Sequence, residues 1–484
     1  MDAQAGVIAL ESQEYRVEHP RGDWSQISAD TLWNGMLSCL QRIAARHSLS
    51  GVAGIGFSCM SPGLIAFDRA GNVLVDPILY SDRRSGGEAQ EILSRVGLDE
   101  LFPITANNVM AGAISVTSML WVRNHQPEIY EKIHQFGHIN TLMAYRMTGE
   151  YAIDRSNASY TGLFDTVGER AWSPLLCGRL GIDEALLPPV LDSPQVCGIL
   201  TAPEVIACGV PPRTPVVIGG ADSPCASLAC GVIAPGDICQ SVGTTNVLTV
   251  CTDKSVFSRA YLNRCHVVPG LWIYQGAMSN AGSALTWARD TLCPDLALRA
   301  RQENRSVFAL MDEEAMTCAP GAGGVVFLPY LSGERCPVWD SKAKGVFFGI
   351  RQESARRDLV RAVLESTCYA TRQLLDIAET VSGRRYPVLD TVGGGAKSLV
   401  WTQMKADILN RSMRMLRMTD ASMLGAAMLA GIGAGVFRDA GEAAALHKKE
   451  GTLVQPRASE ADRAVYDRRF ETYLSLYDRL KDLF

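Results

Sequence analysis

The feature that most constrains the fold is a strand, a glycine turn and a helix in series near residue 390. PVLDTV is a strand candidate and VGGGAKS is a turn rich in glycine. The following segment repeats apolar residues at helical spacing, at Val400, Trp401, Met404 and Ile408. The turn is not a P-loop, because Ala396 and Thr391 stand where that motif needs glycine. It is either a loop that offers backbone N–H groups to an anion or a plain connection.

Strand and helix signals alternate along most of the 484 residues, which indicates an α/β protein. A chain of this length exceeds one hydrophobic core, so we expect two or more domains with a cleft between them. The pattern changes at DICQSVGTTNVLTVCT, where two β-rich runs flank GTTN and predict a hairpin. We therefore expect a boundary just before this hairpin, with domains at 1–232 and 233–484.

Composition argues against several classes of function. The formal net charge is −5 and no basic tail is present, so we expect no nucleic-acid partner. The 14 cysteines are scattered without a CxxC pair, which predicts buried thiols in a reduced, cytoplasmic protein. Acidic residues interrupt any apolar N-terminal core, and the longest apolar run, from Ala421, falls short of about 18 residues. We expect neither a signal peptide nor a membrane span.

Asp222 is the candidate for catalysis. It follows an apolar strand and two glycines in TPVVIGGADSPCASLACG, so its carboxylate should emerge at a strand end, where open α/β sheets bind ligands. A carboxylate beside a substrate hydroxyl can take its proton while a bond to phosphorus forms. The alternative is that Asp222 only caps a helix beginning at Ser223.

Two turns of small residues are candidates for binding phosphate. Gly243, Thr244 and Thr245 lie in the turn of the predicted hairpin, with backbone amides and two hydroxyls, although GTTN is also an ordinary turn. Gly282 lies in QGAMSNAGSALTWARD, a turn into a helix, where close helix packing is the alternative.

Further polar segments could contribute to a small-molecule site. Asp82 and Arg84 in YSDRRS can bind hydroxyl groups, although such clusters are often solvated surface. The segment SCMSPGLIAFD could form a wall for a small substrate. In PYLSGERCP, we favour an internal ion pair between Glu334 and Arg335 over catalysis.

Together, and in this order, these segments resemble the FGGY carbohydrate kinases, the family of xylulose, glycerol and gluconate kinases. The likeness covers almost the whole chain. It is strongest in GGADSPCASLACG, SVGTTNVLTV, PYLSGERCP, GVFFGI, GGGAKSLVWTQMKADIL and DASMLGAAMLAGIGAG, and TGEYAIDRSNASYTGLFD resembles the SNAS-type segment of the family. The resemblance implies an α/β fold of two ribonuclease H-like domains, of the actin and Hsp70 type, around a central cleft. The sugar would lie against the first domain and ATP with Mg²⁺ against the second, and a homodimer is common in the family.

The resemblance also implies roles for single residues. Asp222 matches the catalytic base, which lies near the magnesium ion, and Ser223 matches a sugar contact. Gly243, Thr244 and Thr245 match a phosphate loop. The nucleotide-binding set is completed by Gly282 and by an adenosine-binding turn at Gly394, Gly395, Ala396 and Ser398. Met60 and Ser61 match the sugar wall of the family. Asp82 and Arg84 complete the candidate substrate-binding residues on the ground of their own side chains and not of the resemblance.

The chain departs from the family pattern in three places, of which one, Ser118 where the family normally has lysine, we interpret as drift in a helix. The family begins with a DxGTTxxK hairpin, which does not occur here, and MDAQAGVIALESQEY resembles the strand that follows it. Either the start at Met1 is misassigned, or the first hairpin is absent, which would weaken catalysis and leave a sheet edge unpaired. At the sugar wall, Met60, Ser61, Pro62 and Gly63 replace the QMHG stretch of xylulose kinases. The identity of the sugar therefore stays open.

The leading hypothesis is ATP-dependent phosphorylation of a sugar hydroxyl, with a pentulose such as xylulose as the substrate. Gluconate or another polyol is the alternative among kinases. A degenerate kinase fold that binds sugar or nucleotide without turnover is the alternative outside enzymes.

Overall fold

The computed structural model describes residues 1–4, 6–418, 420–446 and 451–484. Helices and strands alternate through the first half of the chain. Its strands are β1 (Ile55–Cys59), β2 (Gly63–Phe67), β3 (Val73–Leu79), β4 (Gln135–Gly137), β5 (Ile153–Asp154), β6 (Val190–Leu191), β7 (Val196–Ile199) and β8 (Pro215–Ala221). Its helices are α1 (Ala29–Ala44), α2 (Gly86–Arg95), α3 (Leu98–Thr105), α4 (Ser115–His125), α5 (Pro127–Tyr130), α6 (Ile139–Thr148), α7 (Arg155–Ala158), α8 (Pro174–Leu180), α9 (Pro203–Ala207) and α10 (Asp222–Ala229).

The second half of the chain is also mixed α/β. Its strands are β9 (Ile238–Val242), β10 (Asn246–Thr252), β11 (Leu262–Cys265), β12 (Trp272–Met278), β13 (Val326–Leu328), β14 (Val346–Phe348), β15 (Val388–Val392), β16 (Ser412–Leu416) and β17 (Gly451–Val454). Its helices are α11 (Gly282–Leu292), α12 (Pro294–Glu303), α13 (Val307–Met316), α14 (Arg356–Ser382), α15 (Leu399–Leu409), α16 (Ala421–Gly433), α17 (Ala440–Leu446) and α18 (Glu460–Leu480). Short 3₁₀ helices lie at Glu184–Leu186, Ala322–Gly324, Gly394–Lys397 and Lys481–Leu483.

The second half is organised around a seven-stranded sheet in the order β11-β12-β10-β9-β15-β16-β17. β9 and β10 pair antiparallel, which confirms the hairpin predicted around GTTN. β15 lies parallel to both β9 and β16, and the glycine turn leads from β15 towards α15. The predicted series of strand, turn and helix is therefore confirmed.

The first half contains two three-stranded sheets, in the orders β1-β8-β7 and β3-β2-β4. β8 runs parallel to β1 and carries the two glycines that precede Asp222. Gly219 has a φ of 67°, and a Cβ there would lie 1.9 Å from the carbonyl oxygen of Phe57. Only glycine allows this conformation and this approach, so the Gly-Gly pair shapes the strand end that presents Asp222.

The N-terminal segment differs from the prediction. Residues 6–17 form no strand, although MDAQAGVIALESQEY resembles one. Glu18 forms an isolated bridge to Gln26, which forms another to Ile78. In the part of the chain that the structure describes, no neighbouring strand pairs with residues 6–17, so their backbone lacks the partners that define a strand.

Helix α16 links the second sheet to the first half. Its residues Leu424, Met428 and Leu429 share one apolar cluster with Val217 of β8 and Leu228 of α10. The approach is so close that a Cβ at position 425, a glycine, would lie 1.9 Å from a carbonyl oxygen of α10. This contact packs α16 directly against α10.

The cysteines agree with the sequence analysis. Most of the 14 are buried. Within the described ranges, no helix combines the length and the apolar character that a membrane crossing requires.

Candidate active site

Asp222 is the first residue of α10, at the carboxyl end of β8, and it lines two cavities. The small cavity has a volume of about 380 Å³, and its further lining includes Ala226, Ser241, Val392, Gly393, Met418 and Ala421. The large cavity has a volume of about 500 Å³, and its further lining includes Met60, Ser61, Tyr80, Arg83, Gln275 and Glu334. Asp222, Ser223, Thr245 and Val247 line both cavities. The two cavities therefore meet at the carboxylate of Asp222.

The environment of Asp222 favours proton uptake. Its Oδ1 accepts hydrogen bonds from the backbone N–H of Ser223 at 2.7 Å and from the Ser223 hydroxyl at 3.2 Å. Desolvation by the surrounding protein raises the pKa of Asp222 above its ordinary value, although these hydrogen bonds act in the opposite direction. Asp222 is inside α10 and the cap position is Ala221, so the capping alternative does not describe it.

A buried polar network holds the start of α10. Asp154 accepts hydrogen bonds from the backbone N–H of Ser156 at 2.8 Å and from the hydroxyl of Ser193 at 3.0 Å. The Ser156 hydroxyl also donates to Asp154 and accepts a hydrogen bond from the backbone N–H of Ala221 at 3.0 Å. The residue before Asp222 is thereby tied to the SNAS segment. Residue patterns alone gave no role to Ser156, and the signal that could have found it is the resemblance of its segment to the SNAS-type segment of the family.

The same network reaches the large cavity. The Asn157 amide donates to Asp154 at 2.5 Å, and the Ser61 hydroxyl donates to the Asn157 side chain. Ser61 and its neighbour Met60 line the large cavity, where the sequence placed a substrate wall.

The GTT turn is closed by hydrogen bonds. The backbone N–H of Gly243 donates to the carbonyl of Thr245 at 2.8 Å. Thr245 lines both cavities, and Gly243 and Thr244 are exposed beside them. These three residues thus lie next to Asp222.

Gly282 has a different role from the predicted one. Its backbone N–H donates to the carbonyl oxygen of Gly243 at 3.0 Å, and a Cβ there would lie 2.4 Å from that oxygen. Gly282 therefore allows α11 to approach the GTT turn, and its amide is not free to bind a ligand. Close packing, the alternative for this glycine, is what the structure shows.

Only part of the turn after β15 is open. Gly393 lines the small cavity and has a φ of 93°, and Gly394 is exposed. By contrast, Ala396 is buried. The Ser398 hydroxyl accepts from the backbone N–H of Trp401 at 2.9 Å and donates to Asp312 at 2.7 Å, so it caps α15. These contacts do not support the prediction that the side chains of Ala396 and Ser398 bind nucleotide, whereas Gly394 is exposed and Gly395 is half-buried.

Asp82 and Arg84 do not line either cavity. Their side chains form an ion pair at 2.8 Å, and both are buried. Asp82 also accepts a hydrogen bond from the backbone N–H of Ser25 at 2.6 Å, and the guanidinium of Arg84 lies 3.8 Å from the ring of Trp24. Their polar groups are used within the first half, so these contacts do not support the prediction that they bind substrate.

The residue between them, Arg83, lines the large cavity instead. Its guanidinium donates to the carbonyl oxygens of Tyr80 at 2.9 Å and of Ala111 at 3.0 Å, which fixes its position. Arg264 and Arg335 belong to the same lining, and the side chain of Arg264 is buried. Nothing in the sequence pattern distinguished Arg83 from its neighbours.

Glu334 lies in the large cavity on the side of the second half. Its Oε1 accepts hydrogen bonds from the backbone N–H groups of Ser279 at 2.5 Å and Arg335 at 2.8 Å. Burial raises the pKa of Glu334 to about 7. Within the described residues, the side chains of Glu334 and Arg335 do not form the expected salt bridge. The carboxylate of Glu334 accepts hydrogen bonds from backbone N–H groups instead.

The donors at this site suit a metal ion that is brought by a nucleotide. Across the described ranges, no group of three or more His, Cys, Asp or Glu residues could hold a metal ion. Magnesium bound with phosphates takes one or two protein carboxylates and fills its remaining positions with phosphate and water oxygens. The carboxylate of Asp222, beside Thr245, fits such an ion without a cluster.

Comparison with known proteins defines the family. The model of the N-terminal domain of the FGGY family of carbohydrate kinases matches residues 1–229, and the model of its C-terminal domain matches residues 239–434. The chain belongs to the FGGY family of carbohydrate kinases. It is 30% identical to the xylulose kinase of Escherichia coli (strain K12) over 491 residues, covering 100% of this chain and 96% of that protein.

Two further relatives agree with this assignment. The gluconokinase of Bacillus subtilis (strain 168) is 27% identical over 427 residues, covering 87% of this chain and 82% of that protein. The crystal structure of the xylulose kinase from Rhodospirillum rubrum superposes with a TM-score of 0.87 at 28% identity, covering 97% of this chain and 93% of that one. The predicted family and the two-domain α/β fold of the actin and Hsp70 type are confirmed.

Proposed function

We propose that this chain transfers the γ-phosphoryl group of ATP to a hydroxyl of a sugar, and that the sugar is a pentulose such as xylulose. The observation that carries the proposal is that the small and the large cavity meet at Asp222. Direct phosphoryl transfer needs donor and acceptor to converge at one point, with the acceptor hydroxyl beside a base.

The small cavity suits the nucleotide. Thr245 and Gly393 line it, and both belong to turns that offer backbone and hydroxyl groups. We assign phosphate contacts to Gly243, Thr244 and Thr245, and adenosine contacts to Gly394 and Gly395. In this proposal, residues 233–484 form the ATP-binding domain and residues 1–232 form the sugar-binding domain.

The proposed chemistry at the junction relies on Asp222 and the neighbouring hydroxyls. Asp222 accepts the proton of the sugar hydroxyl that attacks phosphorus, and its raised pKa makes the carboxylate a better proton acceptor than an ordinary Asp. Ser223 lies where it can hold the same hydroxyl, since it lines both cavities. A magnesium ion carried by ATP would be held by Asp222 and would neutralise phosphate charge.

Xylulose is the first choice because the relatives that cover the whole chain include proteins named xylulose kinase. A sugar acid such as gluconate is the second candidate, and a specific observation favours it. Three arginines, Arg83, Arg264 and Arg335, line the large cavity beside two acidic residues, Asp222 and Glu334, although the side chain of Arg264 is buried. An excess of fixed positive charge attracts a carboxylate.

The test is an ADP-release assay of the purified chain with ketoses, polyols and aldonates as acceptors. We expect the highest kcat/KM with a pentulose. A much higher kcat/KM with gluconate would make gluconate, and not a pentulose, the substrate. Nucleotide binding without ADP release on any acceptor would support the alternative of a protein that binds without turnover. Asp222→Asn serves as the negative control.

A further inference from the structure

Two loops that contain no proposed catalytic residue are joined by hydrogen bonds close to the Gly243–Thr245 turn. The loop between β12 and α11 contains Ser279 and Asn280, and the loop after β13 contains Ser332, Gly333 and Glu334. We propose that Asn280 and Glu334 are positioning residues that fix the Gly243–Thr245 turn through the first turn of α11. The proposal rests on the proposed function insofar as this turn binds the phosphates of ATP.

The first link joins the two loops. Glu334 accepts a hydrogen bond from the backbone N–H of Ser279 at 2.5 Å. Asn280 is buried, and its side-chain amide donates to the carbonyl of Gly333 at 3.3 Å while its Oδ1 accepts from the hydroxyl of Ser332 at 3.1 Å. Both backbone and side-chain groups of the residues that lead into α11 are therefore held by the second loop.

The second link joins α11 to the turn. The backbone N–H groups of Ala281 and Ser283 both donate to the carbonyl oxygen of Thr244 at 3.1 Å, and that of Gly282 donates to Gly243 at 3.0 Å. The first N–H groups of a helix have no partner inside it, and here they bind the turn. The direction of the start of α11 consequently fixes the position of Gly243 and Thr244.

Ser283 connects the two links. Its hydroxyl lies 3.3 Å from Oδ1 of Asn280 and 3.1 Å from the carbonyl oxygen of Thr244. A continuous set of hydrogen bonds therefore runs from Glu334 and Asn280, through residues 281–283, to the turn beside Asp222. Neither Asn280 nor Glu334 needs to touch the nucleotide for this effect.

Glu334 has a competing role, because it lines the large cavity and its Oε2 has no hydrogen-bond partner. A direct contact with the sugar would change acceptor affinity, whereas a positioning role changes nucleotide affinity. These two outcomes separate the roles.

The experiment compares Asn280→Ala, Glu334→Ala and Glu334→Gln with the wild type. Binding of a non-hydrolysable ATP analogue and of xylulose is measured by calorimetry, and amide hydrogen exchange is followed in peptides covering residues 243–245 and 281–283. We expect both alanine variants to bind the analogue about 10-fold more weakly, as for a lost charged or buried hydrogen bond, with xylulose affinity unchanged within about 2-fold. Glu334→Gln retains an acceptor for the backbone N–H of Ser279 and should stay near the wild type.

Hydrogen exchange decides the positioning role even if the nucleotide does not bind. We expect faster exchange at residues 281–283 in both alanine variants. Leu176→Ala, in the buried core of the first half, controls for general destabilisation and should leave this exchange unchanged. Unchanged exchange at 281–283 in the two alanine variants overturns the proposal, as does a loss of xylulose affinity with unchanged analogue affinity. A wild type that binds no nucleotide refutes the proposed function alone.

Discussion

Asp82 and Arg84, two residues apart in the chain, form an ion pair at 2.8 Å in the interior of the first half. The guanidinium of Arg84 also lies 3.8 Å from the ring of Trp24, and the carboxylate of Asp82 accepts a hydrogen bond from the backbone N–H of Ser25. Such a pair is sensitive to the loss of one member, because the other charge is then buried without compensation.

We therefore predict that Asp82→Asn acts on stability. The free energy of unfolding should fall by about 3 kcal/mol, the lower end of the cost of breaking a buried pair. Urea denaturation measures the loss, and the KM for sugar measured on folded protein should not change. A variant with normal stability and a raised sugar KM would return Asp82 to the substrate site.

Asp222→Asn should affect the chemical step. We expect kcat to fall by about 10³-fold, within the range for removal of a general base. Binding of a non-hydrolysable ATP analogue measured without Mg²⁺ should stay nearly unchanged, since the amide has almost the same shape. Single-turnover kinetics and calorimetry measure the two quantities, and retained turnover would refute the assignment as base.

The pH dependence of turnover tests the same residue. Because desolvation raises the pKa of Asp222, the acidic limb of kcat/KM should lie above the range of an ordinary Asp. The active form is the carboxylate, so the rate falls as pH is lowered through this pKa. An acidic limb at the ordinary Asp value would contradict the desolvated environment.

Gly393 should tolerate no side chain. Its φ is 93°, and a Cβ would lie 2.5 Å from the carbonyl oxygen of Val242. Gly393→Ala should raise the KM for ATP and lower the melting temperature, because the turn must shift away from the small cavity. The matched control is Gly178→Ala in α8, where a Cβ meets no atom within 4 Å. A normal ATP KM in Gly393→Ala would separate this turn from nucleotide binding.

Lys405 in α15 should destabilise the protein at neutral pH. It is buried, its Nζ has no hydrogen-bond partner, and it lies 4.2 Å from the ring of Trp401. Burial lowers the pKa of Lys405 from 10.5 to about 8. The folded state thus disfavours the charged form, and the cost is present below pH 8 and disappears as pH rises towards 10.5.

Lys405→Met should accordingly raise the free energy of unfolding at pH 7 by up to about 3 kcal/mol, from 1.36 kcal/mol per pKa unit. The gain over the wild type should vanish near pH 10.5. Denaturant unfolding at the two pH values measures both, and a Met variant less stable than the wild type at pH 7 would show that the ammonium has a compensating partner.

The sequence pattern predicted those features of the fold and the site that depend on residues close together in the chain. The GTT hairpin, the strand before the glycine turn and the position of Asp222 at a strand end follow from alternation and turn residues. The roles of Asp82 and Gly282 do not follow, because Ser25 and Gly243, which bind them, are distant in the chain. For Asp82 only the ion-pair partner, Arg84, is a neighbour in the chain. A carboxylate has the same local signature whether it meets a sugar or an arginine.

In the described part of the chain, the two cavities share only Asp222, Ser223, Thr245 and Val247. The remaining walls are separate, so substitutions at Met60 or Arg83 reshape one wall and leave the other intact. Under the proposed function, a combinatorial library confined to large-cavity residues of the first half, such as Met60 and Arg83, can therefore explore new sugars while the lining of the small cavity stays unchanged.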